Sequence, residues 1–490
     1  MTAARLLAVV HPALLGLAWT LSTYLATGTP TWALWRPAAI TVIIALGVQV
    51  AVSATLRRGV TAALVASIVV LGLTATWLFA LPLAGVVAWW LIVNRVRASR
   101  QRPAIPIRFL DQLSSGVGFV AIVLTLLLAW QTALTPDVPT GPPGSSGEPA
   151  SPHPPDIYMV LLDGYPRADV LESRFGIDIG PFVDALEERG FEVHAQSRSN
   201  YSSTWATLAS MFQMAYLEDI PSVPDTPTTG PEQYRVLGGL VNSSPAVATL
   251  RKHGYRIVVS PSPYSELAVH DADEFADTIG PTWFEEQLLE KSIAATALDF
   301  LFPDLFASGQ RDRIEGGLRR LATAGRGMAP TFFFDHILSP HPPFVFSASG
   351  ASVPLEACFP RTCSLWAPTL DRLSITKARY ASGLQGQIQY LNRRLLASVD
   401  ELLRARPDAV VVFFSDHGTR YDVRADPAEA TMNFIATRTP AAPGLYGQDV
   451  STVNLLSDLL NQYLGTELPH QPFKAWLSTG DSPLPLVRLP

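Results

Sequence analysis

The sequence predicts two parts: about five transmembrane helices at the N-terminus, then an α/β domain with a mostly parallel sheet between helices. Three observations carry this reading. The 490 residues are 48% hydrophobic but only 16% charged, against about 25% charged in soluble chains, and the deficit sits in the first 135 residues. Past residue 156, short unbroken apolar runs recur. Between them lie apolar residues stepped by three and four. A mean hydropathy of +0.22 excludes a wholly soluble chain and a disordered one. A net charge of −6 and a pI near 5.9 argue against nucleic acid as the main partner. Two cysteines exclude a disulfide-dense scaffold and a cysteine-rich zinc module.

Five stretches are long enough to cross about 30 Å of hydrocarbon: 6–27, 34–55, 60–79, 80–96 and 110–133. The third and fourth nearly merge, with Leu81-Pro82-Leu83 as the expected turn of a tight hairpin. Four further spans and a thin basic leader argue against a cleaved signal peptide at the start. In a five-span arrangement Arg5, Arg57, Arg58, Arg95, Arg97, Arg100, Arg102 and Arg108 fall on one side and Arg36 alone on the other. Cytoplasmic loops collect arginine, so the expectation is a multi-pass plasma-membrane protein, its N-terminus cytoplasmic and everything after residue 134 outside. His11 lies near the start of the first span, where an imidazole is expected to reach the headgroups. Residues 134–155, rich in Pro, Gly and Ser, read as a semi-rigid tether. The expected division is therefore 1–133 transmembrane, 134–155 linker and 156–490 extracytoplasmic domain.

The outer domain opens on Ile157–Leu162, six apolar residues in a row, the pattern of a strand buried on both faces. Similar runs follow at 255–259, 331–334, 409–414 and 432–436. A helix with Leu384, Ile388, Leu391, Leu395, Val399 and Leu402 on one stripe ends just before Pro407. Such alternation predicts helices on both sides of the sheet, with ligands beyond the carboxyl ends of the strands. The polar residues after the runs are therefore the ones to weigh. They are Asp163-Gly164-Tyr165-Pro166-Arg167, the segment Asp335-His336 through His341-Pro342-Pro343-Phe344, and Ser415-Asp416-His417-Gly418. Carboxylate with imidazole suits Zn²⁺ or Mn²⁺; Mg²⁺ and Ca²⁺ prefer oxygen alone and stand as alternatives. A fourth cluster, Ser199 through Thr204, precedes a helix whose N-terminus favours an anion. A hydroxyl there, beside a divalent metal, can lose its proton and attack phosphorus or sulfur; a plain capping role is the other reading.

The order of Asp163-Gly after a strand, Thr204 about forty residues on, His341-Pro-Pro-Phe, then Ser-Asp416-His417-Gly resembles the alkaline phosphatase/sulfatase superfamily. Within it, the chain is most similar to the membrane-anchored branch that includes lipoteichoic acid synthases and lipid A phosphoethanolamine transferases. The resemblance covers nearly the whole outer domain, with Asn433-Phe434, Ser451–Asn454 and Leu464-Gly465 similar to the sulfatase-like C-terminal region. It implies Asp163, Thr204, Asp416 and His417 as ligands of one divalent metal, and Thr204 as nucleophile of a covalent phosphothreonine intermediate. It also implies that His341 holds the transferred group or protonates the leaving oxygen. His336 and Asp335 are candidates for a second metal or for a structural role, Arg167 for a phosphate oxygen or for the surface, and Ser202 or Ser203 as substitutes for Thr204.

One departure matters. Formylglycine sulfatases use Cys-x-Pro-x-Arg, and Cys358-Phe359-Pro360-Arg361-Thr362-Cys363 puts its arginine one place early and lies far past the first strand. A disulfide between Cys358 and Cys363 is the expectation there. The function expected is a metal-dependent hydrolase or transferase acting on lipid-linked or envelope-glycan phosphate esters at the outer membrane face. Sulfuric ester hydrolysis at the same site and a non-catalytic binding platform are the alternatives, and the complete ligand set counts against the second.

Overall fold

The computed structural model describes residues 3–490 except 28–32, 57–58, 75, 104, 106–107, 135–153, 224–229, 261, 276–281, 294–300, 302–303, 326–328, 354–374, 424, 479–482 and 485. Cys358 and Cys363, with their expected disulfide, lie outside the described residues. The chain divides into two compact units, Met1–Asp137 with Thr282–Phe302, and Val138–Pro281 with Pro303–Pro490.

The first unit holds helices α1 (Ala3–Thr27), α2 (Trp35–Leu56), α3 (Gly59–Leu73), α4 (Trp77–Ser99) and α5 (Arg108–Leu134). Among the described residues, Trp35–Thr55, Leu78–Ser99 and Arg108–Leu134 are long and apolar enough to cross a membrane. The 15 residues of α3 rise only about 22 Å. The turn expected at Leu81-Pro82-Leu83 falls elsewhere, since Pro82 lies inside α4. Helix α3 ends before Thr74 and α4 begins just after Thr76 instead. There the Thr74 hydroxyl donates to the Val70 carbonyl, and both the N–H and the hydroxyl of Thr76 donate to Leu71. Those bonds satisfy carbonyls that the end of α3 leaves open. His11 does not reach toward headgroups either. It is fully buried between α1, α3 and α5, with Nδ1 2.6 Å from Ser67 Oγ and Nε2 2.8 Å from Ser114 Oγ. Two hydroxyls on neighbouring helices make burial affordable where lipid would not. A short helix, α11 (Trp283–Glu290), also belongs to this unit, although its sequence lies between strands of the other.

The second unit is built on a seven-stranded sheet ordered β2-β7-β6-β1-β5-β3-β4. Its strands are β1 (Ile157–Leu162), β2 (Glu192–Val193), β3 (Arg256–Val259), β4 (Glu274–Phe275), β5 (Thr331–Ile337), β6 (Val410–Phe414) and β7 (Ile435–Arg438). The five strands β6-β1-β5-β3-β4 run parallel, and β7 opposes β6. A hairpin of β8 (Trp476–Ser478) and β9 (Leu486–Arg488) stands apart. Helices α6 (Ala168–Phe175), α7 (Gly180–Glu187), α8 (Thr204–Gln213), α9 (Gly230–Asn242), α10 (Pro245–Lys252), α12 (Leu305–Thr323), α13 (Lys377–Ala405) and α14 (Asn454–Leu464) cover it. Alternation splits the central strands between two packing faces. Val160, Leu162, Phe333, Ile337, Val411 and Phe413 join the apolar stripes of α12 and α13. On the other face Phe334 meets Phe212 of α8 edge-on at 5.2 Å. Leu161 is level with His336 on one side and Phe414 on the other, so β1, β5 and β6 end together and deliver their next residues to one edge.

Candidate metal centre

Asp163 follows β1 and Asp416 follows β6, so register alone brings the two carboxylates side by side. Their buried ends are only half satisfied. Asp163 Oδ2 lies 2.9 Å from His336 Nε2, and Asp416 Oδ1 accepts from the Gly164 N–H at 3.0 Å. Asp163 Oδ1, Asp416 Oδ2 and His417 Nε2 have no hydrogen-bond partner. Yet they converge: His417 Nε2 is 3.8 Å from Asp163 Oδ1 and 3.5 Å from Asp416 Oδ2. Leaving three such atoms unpaired in a fully buried pocket costs several kcal/mol, which a cation among them would remove. Both candidate imidazoles are set by their other nitrogen. His417 Nδ1 lies 2.8 Å from the Gly418 carbonyl and His341 Nδ1 2.5 Å from that of Pro342. Each Nδ1 therefore carries the proton and Nε2 offers a lone pair. Ligand atoms of Asp163, His341 and His417 all fall within 4.8 Å of one another. A buried pair of carboxylates with bare imidazole nitrogens is the donor set of Zn²⁺ or Mn²⁺.

Glycines make room for it. Gly164 has φ +66, and a Cβ there would touch His341 and His417 at 3.4 Å. At Gly418 the obstacle is steric: a Cβ would stand 2.1 Å from the Glu429 carbonyl oxygen and 2.5 Å from that of Met432. Gly418→Ala is expected to destabilise the fold by about 3 kcal/mol, read as a lower urea midpoint, and to displace His417 with the loop.

Thr204 opens α8, near enough to the Asp416 carboxylate that its hydroxyl helps hold that group's pKa low. Thr207, one turn on, fixes the helix by donating to the Asp416 backbone carbonyl at 2.8 Å. The neighbouring hydroxyls differ in placement. Ser202 Oγ accepts from the Ser478 N–H at 2.9 Å, and Ser203 is the N-cap without a side-chain cap bond. His341 is carried by a loop pinned from α13. Buried Gln387 accepts from the N–H groups of Val345 and Phe346 and donates to Ser339.

The remaining expectations separate. His336 is at the site but lies beside Ser262 Oγ (2.9 Å) through Nδ1 and Asp163 through Nε2. It orients a carboxylate and has no free nitrogen for a second metal. Asp335 is on the opposite face of β5. It lies near Ser260, which accepts from Arg320 at 3.0 Å, and close enough to α12 that a Cβ on Gly317 would sit 2.6 Å from its Oδ2. The two-residue period of the strand separates these neighbours, so a shared second metal site is not formed. Arg167 is committed to Asp169, at 2.7 and 2.8 Å, and to the Ser197 carbonyl. Reading the sequence missed Ser262 and Tyr264 (ring 5.5 Å from that of His336) and gave no site role to Asn433, which donates to the Ser415 carbonyl. It also missed Arg420, whose positive charge acts on both Asp163 and Tyr264. Only Arg420, three places after His417, had a positional signal.

Burial first, then the charge of Asp416, push the Asp163 carboxyl up to about 7, against the pull of His341, His417 and Arg420. Burial also opposes ionisation of Asp416, but His417 and the hydrogen bonds from Thr204 and Gly164 hold its carboxyl below the usual range. Burial lowers His336 to about 4 and lowers His341, so both imidazoles are neutral at neutral pH. Asp163 is an acid whose folded value stands above its ordinary 3.8. The metal-free protein therefore keeps a proton that the unfolded chain releases, and it loses stability as pH rises from about 4 to about 7. A metal must displace that proton. Zn²⁺ affinity is expected to strengthen about tenfold per pH unit in this window and to level off above it. Calorimetric titrations at about pH 5.5 and about pH 7.5 check this; equal affinities contradict it.

A buried carboxylate–imidazole cluster at the carboxyl edge of a mostly parallel sheet, on a chain with membrane-length helices, is the class of molecule these observations define. No protein-family model and no curated protein matches the chain. Solved structures do. The chain is similar to the periplasmic domain of EcEptC from Escherichia coli in complex with Zn, at 12% identity over 71% of this chain and 96% of that one, TM-score 0.45. It is also similar to the integral membrane lipooligosaccharide phosphoethanolamine transferase A from Neisseria meningitidis, at 14% identity over 93% and 84%, TM-score 0.40. A third is the lipoteichoic acid synthase LtaP from Listeria monocytogenes, at 15% identity over 64% and 72%, TM-score 0.36.

Proposed function

We propose that this chain is a membrane-anchored, metal-dependent phosphoester transferase or hydrolase that works through a covalent threonine intermediate at the extracytoplasmic face. The observation that carries the reading is the convergence of three unpartnered buried atoms, Asp163 Oδ1, Asp416 Oδ2 and His417 Nε2, beside the Thr204 hydroxyl. Asp163, Asp416 and His417 hold the metal with Thr204 as the further oxygen ligand. Once bound, a divalent ion supplies Lewis acidity, lowering the pKa of the hydroxyl and neutralising charge on the phosphoryl oxygens. Thr204 sits at the first position of α8, so its oxygen attacks where the helix N-terminus favours anionic oxygens.

His341 takes a more specific role than the motif implies. It is neutral, and its Nδ1 proton is held by Pro342. Its bare Nε2 therefore receives a proton, and it acts on the hydroxyl or water that resolves the intermediate rather than as donor to the first leaving group. Arg420 adds positive charge at the pocket, which favours a phosphate ester over the less charged sulfate ester. The proposed substrate is a lipid- or glycan-linked phosphate ester of the envelope, which a membrane-bound enzyme meets at high local concentration.

Intact mass of the full-length protein after incubation with Mn²⁺ or Zn²⁺ and a bacterial lipid extract, with peptide mapping, tests this. The expected result is an adduct on the peptide holding Thr204, accumulating in His341→Ala and absent in Thr204→Ala. An adduct on Ser202 or Ser203 moves the nucleophile; metal bound without any adduct favours the binding platform.

A further inference from the structure

The positive charge of Arg36 is the exception in the arginine distribution, alone on the side opposite the other eight. The structure supplies its partner. Arg36 Nε donates to Glu285 Oε1 at 2.5 Å, and a second bond joins its Nη2 to the other carboxylate oxygen, the bidentate geometry in which guanidinium and carboxylate pair best. Glu285 belongs to α11, which starts with a full capping box on Thr282. Around that ion pair the helix is apolar. Phe284 is fully buried and Leu288 nearly so, among Leu21, Tyr24, Ala33 and Leu34, with the ring of Tyr24 edge-on at 6.1 Å. Just beyond α11 come Ser292 and Ile293, and the Ile293 N–H donates to the carbonyl of Leu73, the last residue of α3, at 2.9 Å. The segment thus meets the end of α1, the start of α2 and the end of α3, which share one end of the helical unit.

That end has the character of a membrane–water boundary. Trp35, beside Arg36, is 75% exposed, and Trp130 in the last turns of α5 is 65% exposed, the placement of an interfacial aromatic belt. Leu78 and Phe79, which follow the α3–α4 turn, are also exposed. Ile293 is 43% exposed while hydrogen-bonded to that turn's first flank. An apolar residue held open at this level continues the exposed surface of the helices.

We propose that Thr282–Ile293 is an interfacial membrane element, inserted in the sequence between strands β4 and β5, that seats on the outer end of the helices and rests Ile293 among lipid chains just below the headgroups. The Arg36–Glu285 pair removes the positive charge that would otherwise oppose placing this end outside. The inference is independent of the chemistry at Thr204.

The test uses full-length protein with Cys358→Ser and Cys363→Ser, carrying Ile293→Cys labelled with bimane, in nanodiscs of phosphatidylcholine and phosphatidylglycerol. Lipids brominated near the top of the acyl chain are expected to quench this label at least about twofold more than a bimane at Glu467→Cys, an exposed position of the sheet-bearing unit. Equal quenching at the two sites, with iodide reaching both, overturns the proposal. Arg36→Glu should raise iodide access to residue 293, and adding Glu285→Arg should restore protection. If the charge swap changes nothing, the ion pair does not seat the segment.

Discussion

Thr204→Ala is expected to lower turnover of phosphate esters by on the order of 10⁴-fold or more, because it removes the hydroxyl proposed to form the covalent bond. Metal content should change little, since Asp163 Oδ1, Asp416 Oδ2 and His417 Nε2 still converge in the variant. That combination, full metal with no turnover, separates loss of a nucleophile from loss of a site. Thr204→Ser is expected to recover a substantial part of the activity, as it restores a hydroxyl at the first position of α8. The Ser202 oxygen is engaged elsewhere, accepting from the Ser478 N–H at 2.9 Å. The measurements are steady-state rates on a phosphate diester and metal content by mass spectrometry. Retained turnover in Thr204→Ala would falsify the covalent route.

Asp416→Asn should have the next largest effect and a different signature. The amide gives the site no charge, so Zn²⁺ affinity is expected to fall by more than about 100-fold, with activity falling alongside. Asp163→Asn should behave likewise. His336→Ala removes only the group that holds Asp163 Oδ2, and the loss expected is the roughly 10- to 100-fold typical of residues behind a ligand. A calorimetric series across the three variants reads the order directly. An effect of His336→Ala as large as that of Asp416→Asn indicates that His336 binds the metal itself.

Much of this site is legible in the chain because it is local. Asp163 and Asp416-His417-Gly418 follow apolar runs too short and too unbroken for an exposed strand, and any parallel sheet sends such residues to one edge. The helical stripe from Leu384 to Leu402 was equally plain, since burial repeats every three or four residues. What failed were neighbours whose fates depend on something distant. Asp335 and His336 are adjacent, yet only one faces the site, because β5 pairs with β1 in a register that sets His336 level with Leu161. Arg167 stands four residues after Asp163, but Asp169 takes its guanidinium. Ser262, Tyr264 and Gln387 have no motif around them; each reaches the site through a fold contact.

The sequence by itself determined the membrane-length helices, the strand–helix alternation and the identity of the central carboxylates and imidazoles, since hydrophobic length, periodicity and residue chemistry are written along the chain. Tertiary structure alone decided where α3 turns into α4, that His11 lies between Ser67 and Ser114, which face Asp335 takes, and that α11 pairs Glu285 with Arg36. Apart from the α3–α4 turn, each of these outcomes depends on a partner far away in the chain, as with Arg36 and Glu285, 249 residues apart. Polar groups removed from water go where a partner satisfies them, and which partner arrives is settled by packing.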